Sequence, residues 1–161
     1  LRPMTQSQTF VAEPSPADLA KHLQQRVTMF HAGEELYSGK WLADFQKTGL
    51  TAWHICIEKL QMGPLHSCDG ELLQAFCAQT LARLSRAFAS WFPDVESRAI
   101  ARDCLESLLT GHAHGQSLVW KQLALALACA ELWLGTWAAA ASLNSSLPGT
   151  VRRFRGLRCR V

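Results

Sequence analysis

One stretch limits the options for this chain more than any other. Leu123-Ala-Leu-Ala-Leu-Ala-Cys-Ala130 contains no charged or amide side chain and sits inside a longer run with helical spacing. A helix that is apolar all round is either covered by neighbours on more than one side or lies in lipid. Residues 118–141 are long enough to span a bilayer. However, Lys121, Gln122 and Glu131 lie inside that window, and a carboxylate within a span costs a few kcal/mol on insertion scales. The stretch therefore reads as a buried helix, and no membrane partner is expected.

The rest of the chain repeats the helical pattern and shows no convincing strand alternation. Ser15-Pro16 reads as an N-cap followed by proline at the first helical position. Leu19, Leu23, Val27 and Phe30 then mark a helix over 16–31. Gly33 breaks it. A second helix over 34–47 carries Trp41, Leu42 and Phe45, and Gly49 is placed to end it in a left-handed conformation. A third runs over 50–62, with Leu50, Trp53, Ile57 and Leu60 on one stripe, and stops at Gly63-Pro64. Asp69 is positioned to cap a fourth over 70–90, Asp94 a fifth over 95–111, and Ser117 a sixth over 117–137. First members of successive pairs start near 16, 50 and 95, and second members near 34, 71 and 117. This spacing suits helical-hairpin repeats of the HEAT or armadillo sort, although a single six-helix bundle also produces antiparallel pairs.

Charge and chemistry-bearing residues narrow the function classes. Residues 1–150 hold 11 Lys and Arg against 13 Asp and Glu, whereas residues 151–161 hold five Arg and no acid. The basic character thus belongs to the tail Arg152-Arg153-Phe154-Arg155-Gly156-Leu157-Arg158-Cys159-Arg160, and nucleic acid is an expected partner only through it. Four of the six cysteines (Cys56, Cys77, Cys104 and Cys129) fall in helical apolar patterns, where thiols act as small hydrophobes. No secretory leader opens the sequence, so reduced cysteines are expected. His112-x-His114 with Cys104 is the best metal candidate, but zinc spacing is lacking and no metal or cofactor is expected. There is no nucleophile elbow, phosphate loop or dinucleotide fingerprint, and no enzyme is expected. Glu34-Glu35 complements a helix start. Trp41 and Trp53 read as core; Trp120 and Trp137 are open to either a core or a surface role.

Four motifs, the first of them made of two consecutive segments, resemble a known family. Tyr37-Ser-Gly-Lys-Trp-Leu-Ala-Asp-Phe-Gln46 followed by Thr51-Ala-Trp-His-Ile-Cys-Ile-Glu-Lys-Leu-Gln61 resembles the start of importin-β-type nuclear transport receptors, closest to the transportin-SR and importin-13-like branch. Phe76-Cys-Ala-Gln-Thr-Leu81, Cys104-Leu-Glu-Ser-Leu-Leu109 and Lys121-Gln-Leu-Ala-Leu-Ala-Leu-Ala-Cys-Ala-Glu-Leu132 continue the resemblance in order, over about 17–137. The segment Gly63–Gly70 departs from the family's spacing, and the Arg-rich tail resembles nothing in it.

The resemblance implies an all-α solenoid of about three HEAT hairpins over 16–137. Residues 1–15 would form a flexible arm, and 138–161 a disordered linker and basic tail. It further implies the Ran-GTP-binding N-terminal part of an import receptor, moving between cytoplasm and nucleus and binding cargo only through repeats this chain lacks. The second helix of each hairpin would face Ran. Helical-wheel placement then selects Lys40, Asp44 and Lys47 on the first of these helices, Gln79, Arg83 and Arg86 on the next, and Lys121 and Gln122 on the last. The alternatives are a generic helical-repeat adaptor or a small membrane-anchored protein.

Overall fold

A computed structural model describes residues 14–134. All regular structure among the described residues is helical: α1 (Pro16–His31), α2 (Glu35–Lys47), α3 (Leu50–Leu60), α4 (Cys68–Ser85), α5 (Phe88–Trp91), α6 (Val95–Gly111) and α7 (Ser117–Leu134). The 16–31 and 95–111 helices fall where periodicity predicts them. The arm before residue 14, Trp137, and the linker and tail over 138–161 lie outside the described residues.

The helix ends follow from local chemistry. Ser15 Oγ accepts from the Asp18 amide at 3.2 Å, and Asp94 Oδ1 accepts from the Ser97 amide at 2.7 Å. Both are N-cap bonds that satisfy an amide with no partner inside its helix. Accepting that amide bond stabilises the charged form of Asp94 and holds its carboxyl below the ordinary aspartate value.

Several boundaries differ from the sequence reading: α2 starts at Glu35 with Glu34 as its N-cap residue, and α3 ends at Leu60 rather than 62. The fourth helix is capped by Ser67, not Asp69: Ser67 Oγ accepts from the Gly70 amide at 3.0 Å. Asp69 lies inside the first turn, where its carbonyl accepts from Gln24 Nε2 at 2.9 Å. This helix also does not run unbroken to 90. The Arg86 and Ala87 amides bond three residues back, tightening the last turn, and a short α5 follows. In the arrangement that results, Phe88 and Phe92 both meet the ring of Trp53, with centroids 6.1 and 5.0 Å away. Finally, the Trp120 amide bonds the Gln116 carbonyl at 3.1 Å, which puts Gln116 rather than Ser117 at the boundary of α7.

Consecutive helices pair as α1 with α2, α3 with α4, and α6 with α7. The most extensive contact joins α4 to α7, and α4 also packs on α1 and α3. Among the described residues, no helix of the first pair makes an extensive contact with one of the last. One apolar core runs through all of them, from Leu23 and Val27 through Cys77 and Leu81 to Leu123 and Leu127, each buried almost completely.

Polar groups tie the loops to this core. Buried Gln74 accepts from the Leu65 amide at 3.0 Å and donates to the Gly63 carbonyl at 2.7 Å, fixing the turn between α3 and α4. Buried His112 donates from Nε2 to the Leu60 carbonyl at 2.7 Å, fastening the end of α6 to the end of α3.

Gly49, between α2 and α3, has φ +67° and ψ −112°. A Cβ there would lie 2.5 Å from Trp91 Cζ3. Gly63 has φ +80°, but a Cβ would meet nothing within 4 Å. We therefore expect Gly49→Ala to cost about 2–4 kcal/mol, combining strain with displacement of Trp91. Gly63→Ala should cost only about 1 kcal/mol. Urea unfolding of the two variants measures the difference, and equal losses would contradict the Trp91 contact.

Candidate functional site

A concavity carrying oriented polar groups lies among α1, α2 and α4, with Leu118 of α7 also in its lining. It encloses about 430 Å³. Phe30, Leu42, Leu72 and Phe76 supply apolar walls, and Gly39 keeps one wall low, since a Cβ there would sit 3.3 Å from Phe30 Cε1. Its polar members are His31, Gln46, Gln79 and Arg83.

A short relay fixes two of them. Arg83 Nη1 donates to Gln46 Oε1 at 2.7 Å, Gln46 Nε2 donates to Thr80 Oγ1 at 2.9 Å, and Thr80 Oγ1 donates to the Phe76 carbonyl at 2.9 Å. Thr80 is fully buried, so the relay has a rigid anchor, while Arg83 remains exposed. Ring contact between Phe45 and Phe76, 6.1 Å between centroids, sets the spacing of α2 and α4 beneath the relay.

Only two of the eight residues selected from sequence, Gln79 and Arg83, enter this concavity. Lys40, Asp44 and Lys47 are exposed along α2 and engage one another: Asp44 accepts from Lys40 at 3.0 Å and lies 3.8 Å from Lys47. Such exposed pairs contribute little to stability. Arg86 stands at the end of α4, exposed and near Cys129, whose thiol burial pushes above its ordinary value against the opposing effect of that guanidinium. Lys121 is exposed on α7 and Gln122 is half-buried there. Sequence reasoning missed Gln46 and Thr80. The first sits one residue after the apolar Phe45, and the second reads as an apolar-stripe member; their pairing is a contact between helices 34 residues apart in sequence.

A second concavity of about 420 Å³ lies among α3, α5 and α6, lined by Trp53, Trp91, Ile57 and Ile100. Its one carboxylate, Asp94, is occupied in capping α6. Among the tryptophans, Trp53 and Trp120 are buried, Trp41 is half-buried and stacked on Phe45, and Trp133 is largely exposed. His112 is committed to Leu60, His114 is exposed, and no three His, Cys, Asp or Glu side chains converge to hold a metal among the described residues.

The α7 helix shapes the remaining surface. By length and composition it is the one helix among the described residues able to cross a membrane. Helices α4 and α6 cover two of its sides; Leu118, Leu125 and Leu132, seven residues apart, stay exposed on another. Comparison with protein-family models, curated proteins and solved structures finds no match to this chain.

The orientation of α7 is held by charge. Glu131 is 1% exposed and accepts from Arg102 Nε, while Arg102 Nη1 reaches Asp103 at 2.8 Å and Glu106 at 2.9 Å. Burial opposes the charge on Arg102, but the bonds to Glu131 and Asp103 outweigh it and hold the guanidinium above its ordinary value. Arg102→Met should therefore destabilise by about 3 kcal/mol, because Glu131 keeps its burial and loses the guanidinium. The double variant Arg102→Met with Glu131→Leu should recover most of that loss. A thermal-melt cycle over the two positions checks it, and additive losses would refute the coupling.

Proposed function

We propose that this chain is a non-enzymatic binding module: a solenoid of about three HEAT-like hairpins that binds Ran in its GTP form, as the N-terminal part of an import receptor. The pairing order supports the hairpin stack, with α4 between its neighbours. The observation that carries the binding reading is the concavity bordered by second helices α2 and α4, where Gln79 and Arg83 stand beside Ala43 and Gln46. A broad face with a shallow depression and a fixed guanidinium suits a protein partner. The resembling segments occupy α2, α3, α4, α6 and α7 in order. On this reading the protein works in the cytoplasm and nucleus, needs no cofactor, and meets import cargo only through further repeats.

The second reading is a helical-repeat adaptor for another protein, favoured by the exposed leucine row on α7, which suits an unrelated helix as readily as a further hairpin.

The two readings separate in one experiment. Immobilised full-length chain should capture Ran loaded with a non-hydrolysable GTP analogue and capture Ran-GDP at least about tenfold more weakly. Arg83→Glu should lower capture of the GTP form by a similar factor. Equal capture of both nucleotide states, or none by a sample whose circular dichroism shows it folded, leaves the adaptor reading.

A further inference from the structure

The depression between α2 and α4 also carries a charge pattern that says what chemistry fits it, whichever protein supplies the occupant. No carboxylate lines it. Asp44, an acid on the exposed face of α2, is already engaged by Lys40 and Lys47. Acids do stand near the helix starts, Glu34 before α2 and Glu71 in the first turn of α4. Cations collect at the helix ends: Lys47 closes α2, and Arg83 and Arg86 close α4. Gln46 reaches Thr80 and Arg83 late in both helices, so this basic end is where the relay holds the guanidinium. That guanidinium is oriented through one nitrogen while the residue stays exposed. An oriented guanidinium with donors on two nitrogens matches a carboxylate in two-point geometry.

We infer that this depression takes an acidic amphipathic segment of a partner protein, its bulky apolar side chains seated on Phe30, Leu42 and Phe76 and a carboxylate on Arg83. A basic segment would meet Arg83 with like charge. A wholly apolar segment would desolvate Arg83 and Gln79 without pairing them. Helix-in-groove recognition supplies the apolar contact, and the cationic end sets the direction in which the segment lies.

The test uses the full 161-residue chain and a fluorescein-labelled peptide of about 14 residues. Leu and Phe occupy one helical face of this peptide and Glu the other. A second peptide carries Lys for every Glu. Fluorescence anisotropy should show saturable binding of the acidic peptide, at least about tenfold weaker binding of the lysine peptide, and weakening of the acidic complex as salt rises. Arg83→Gln should weaken acidic-peptide binding several-fold, and Arg83→Glu more. Ala43→Trp, at an exposed lining position, should block the apolar seat while the thermal midpoint stays close to that of the parent. Equal affinity for the two peptides, no saturable binding of the acidic one, or acidic-peptide affinity unchanged in Ala43→Trp and both Arg83 variants would overturn the inference. Capture of Ran-GTP is scored on the same samples. Peptide binding without Ran capture retains the groove and removes Ran; Ran capture without peptide binding does the reverse.

Discussion

The close approach of α4 and α7 is the contact on which the remaining packing depends. It is the most extensive among the described residues, and both helices bury small side chains: Ala78 and Ala82 on α4, Ala126 and Ala130 on α7. Small side chains let helix backbones approach closely, and Leu81, Leu123 and Leu127 are buried in the same core. Each such leucine is worth roughly 2 kcal/mol when removed from water. Because α4 spends one side on α7 and others on α3 and α1, it has only a narrow strip left for solvent, and Gln79 and Arg83 lie on that strip. The position of the depression beside α2 follows from how the other sides of α4 are used.

Polar side chains then decide which of the many leucine-on-leucine registers is adopted. Apolar packing tolerates sliding by a helical turn, because leucine fits many holes about equally well. A buried amide or carboxylate tolerates little, since a lost partner costs the full desolvation of the group. Gln74 fixes the α3–α4 turn, His112 fixes α6 against the end of α3, and the Arg102–Glu131 pair fixes α6 against α7. The α3–α4 turn, the α6–α3 junction and the α6–α7 packing are thus each fastened by buried polar groups. The buried pair Cys56 and Cys77 has a different role: burial, reinforced by the neighbouring thiol, pushes Cys56 well above its ordinary value, keeping it neutral and suited to packing.

How much of this was legible in the sequence divides along the range of the interaction. Helix existence was legible, because Leu19, Leu23 and Val27 or Leu105, Leu108 and Leu109 advertise their faces within a few residues. Two caps, Ser15 and Asp94, were legible for the same reason. Ser67 was not, since Asp69 has an equally good cap residue type and the choice rests on where Gly70 and Leu65 pack. The break after Ser85 was not, since helical spacing continues from Leu81 and Leu84 to Phe88, and only contact with Trp53, 35 residues earlier, distinguishes the two courses. The covering of α7 was half legible. The apolar stretch demanded neighbours, and it has α4 and α6, yet Leu118, Leu125 and Leu132 still face outward. The candidate site was the least legible. A helical wheel gives the exposed side of one helix, but Gln46, Thr80 and Arg83 form a unit only once two helices are set side by side.

That difference bears on which exposed residues are fit for recognition. Lys40, Asp44 and Lys47 are exposed, but Asp44 already engages both lysines, so ordering these side chains against a partner forfeits rotamer freedom for a screened attraction. Arg83 has already lost much of that freedom through Gln46, and Gln46 lost its own through a threonine that is wholly buried. The ordering is supplied by folding, before any partner arrives, and the partner's contact with the guanidinium carries a smaller entropic penalty. Exposure alone favours α2, whereas preorganisation favours the α4 end of the depression. The second criterion is the one on which binding free energy depends.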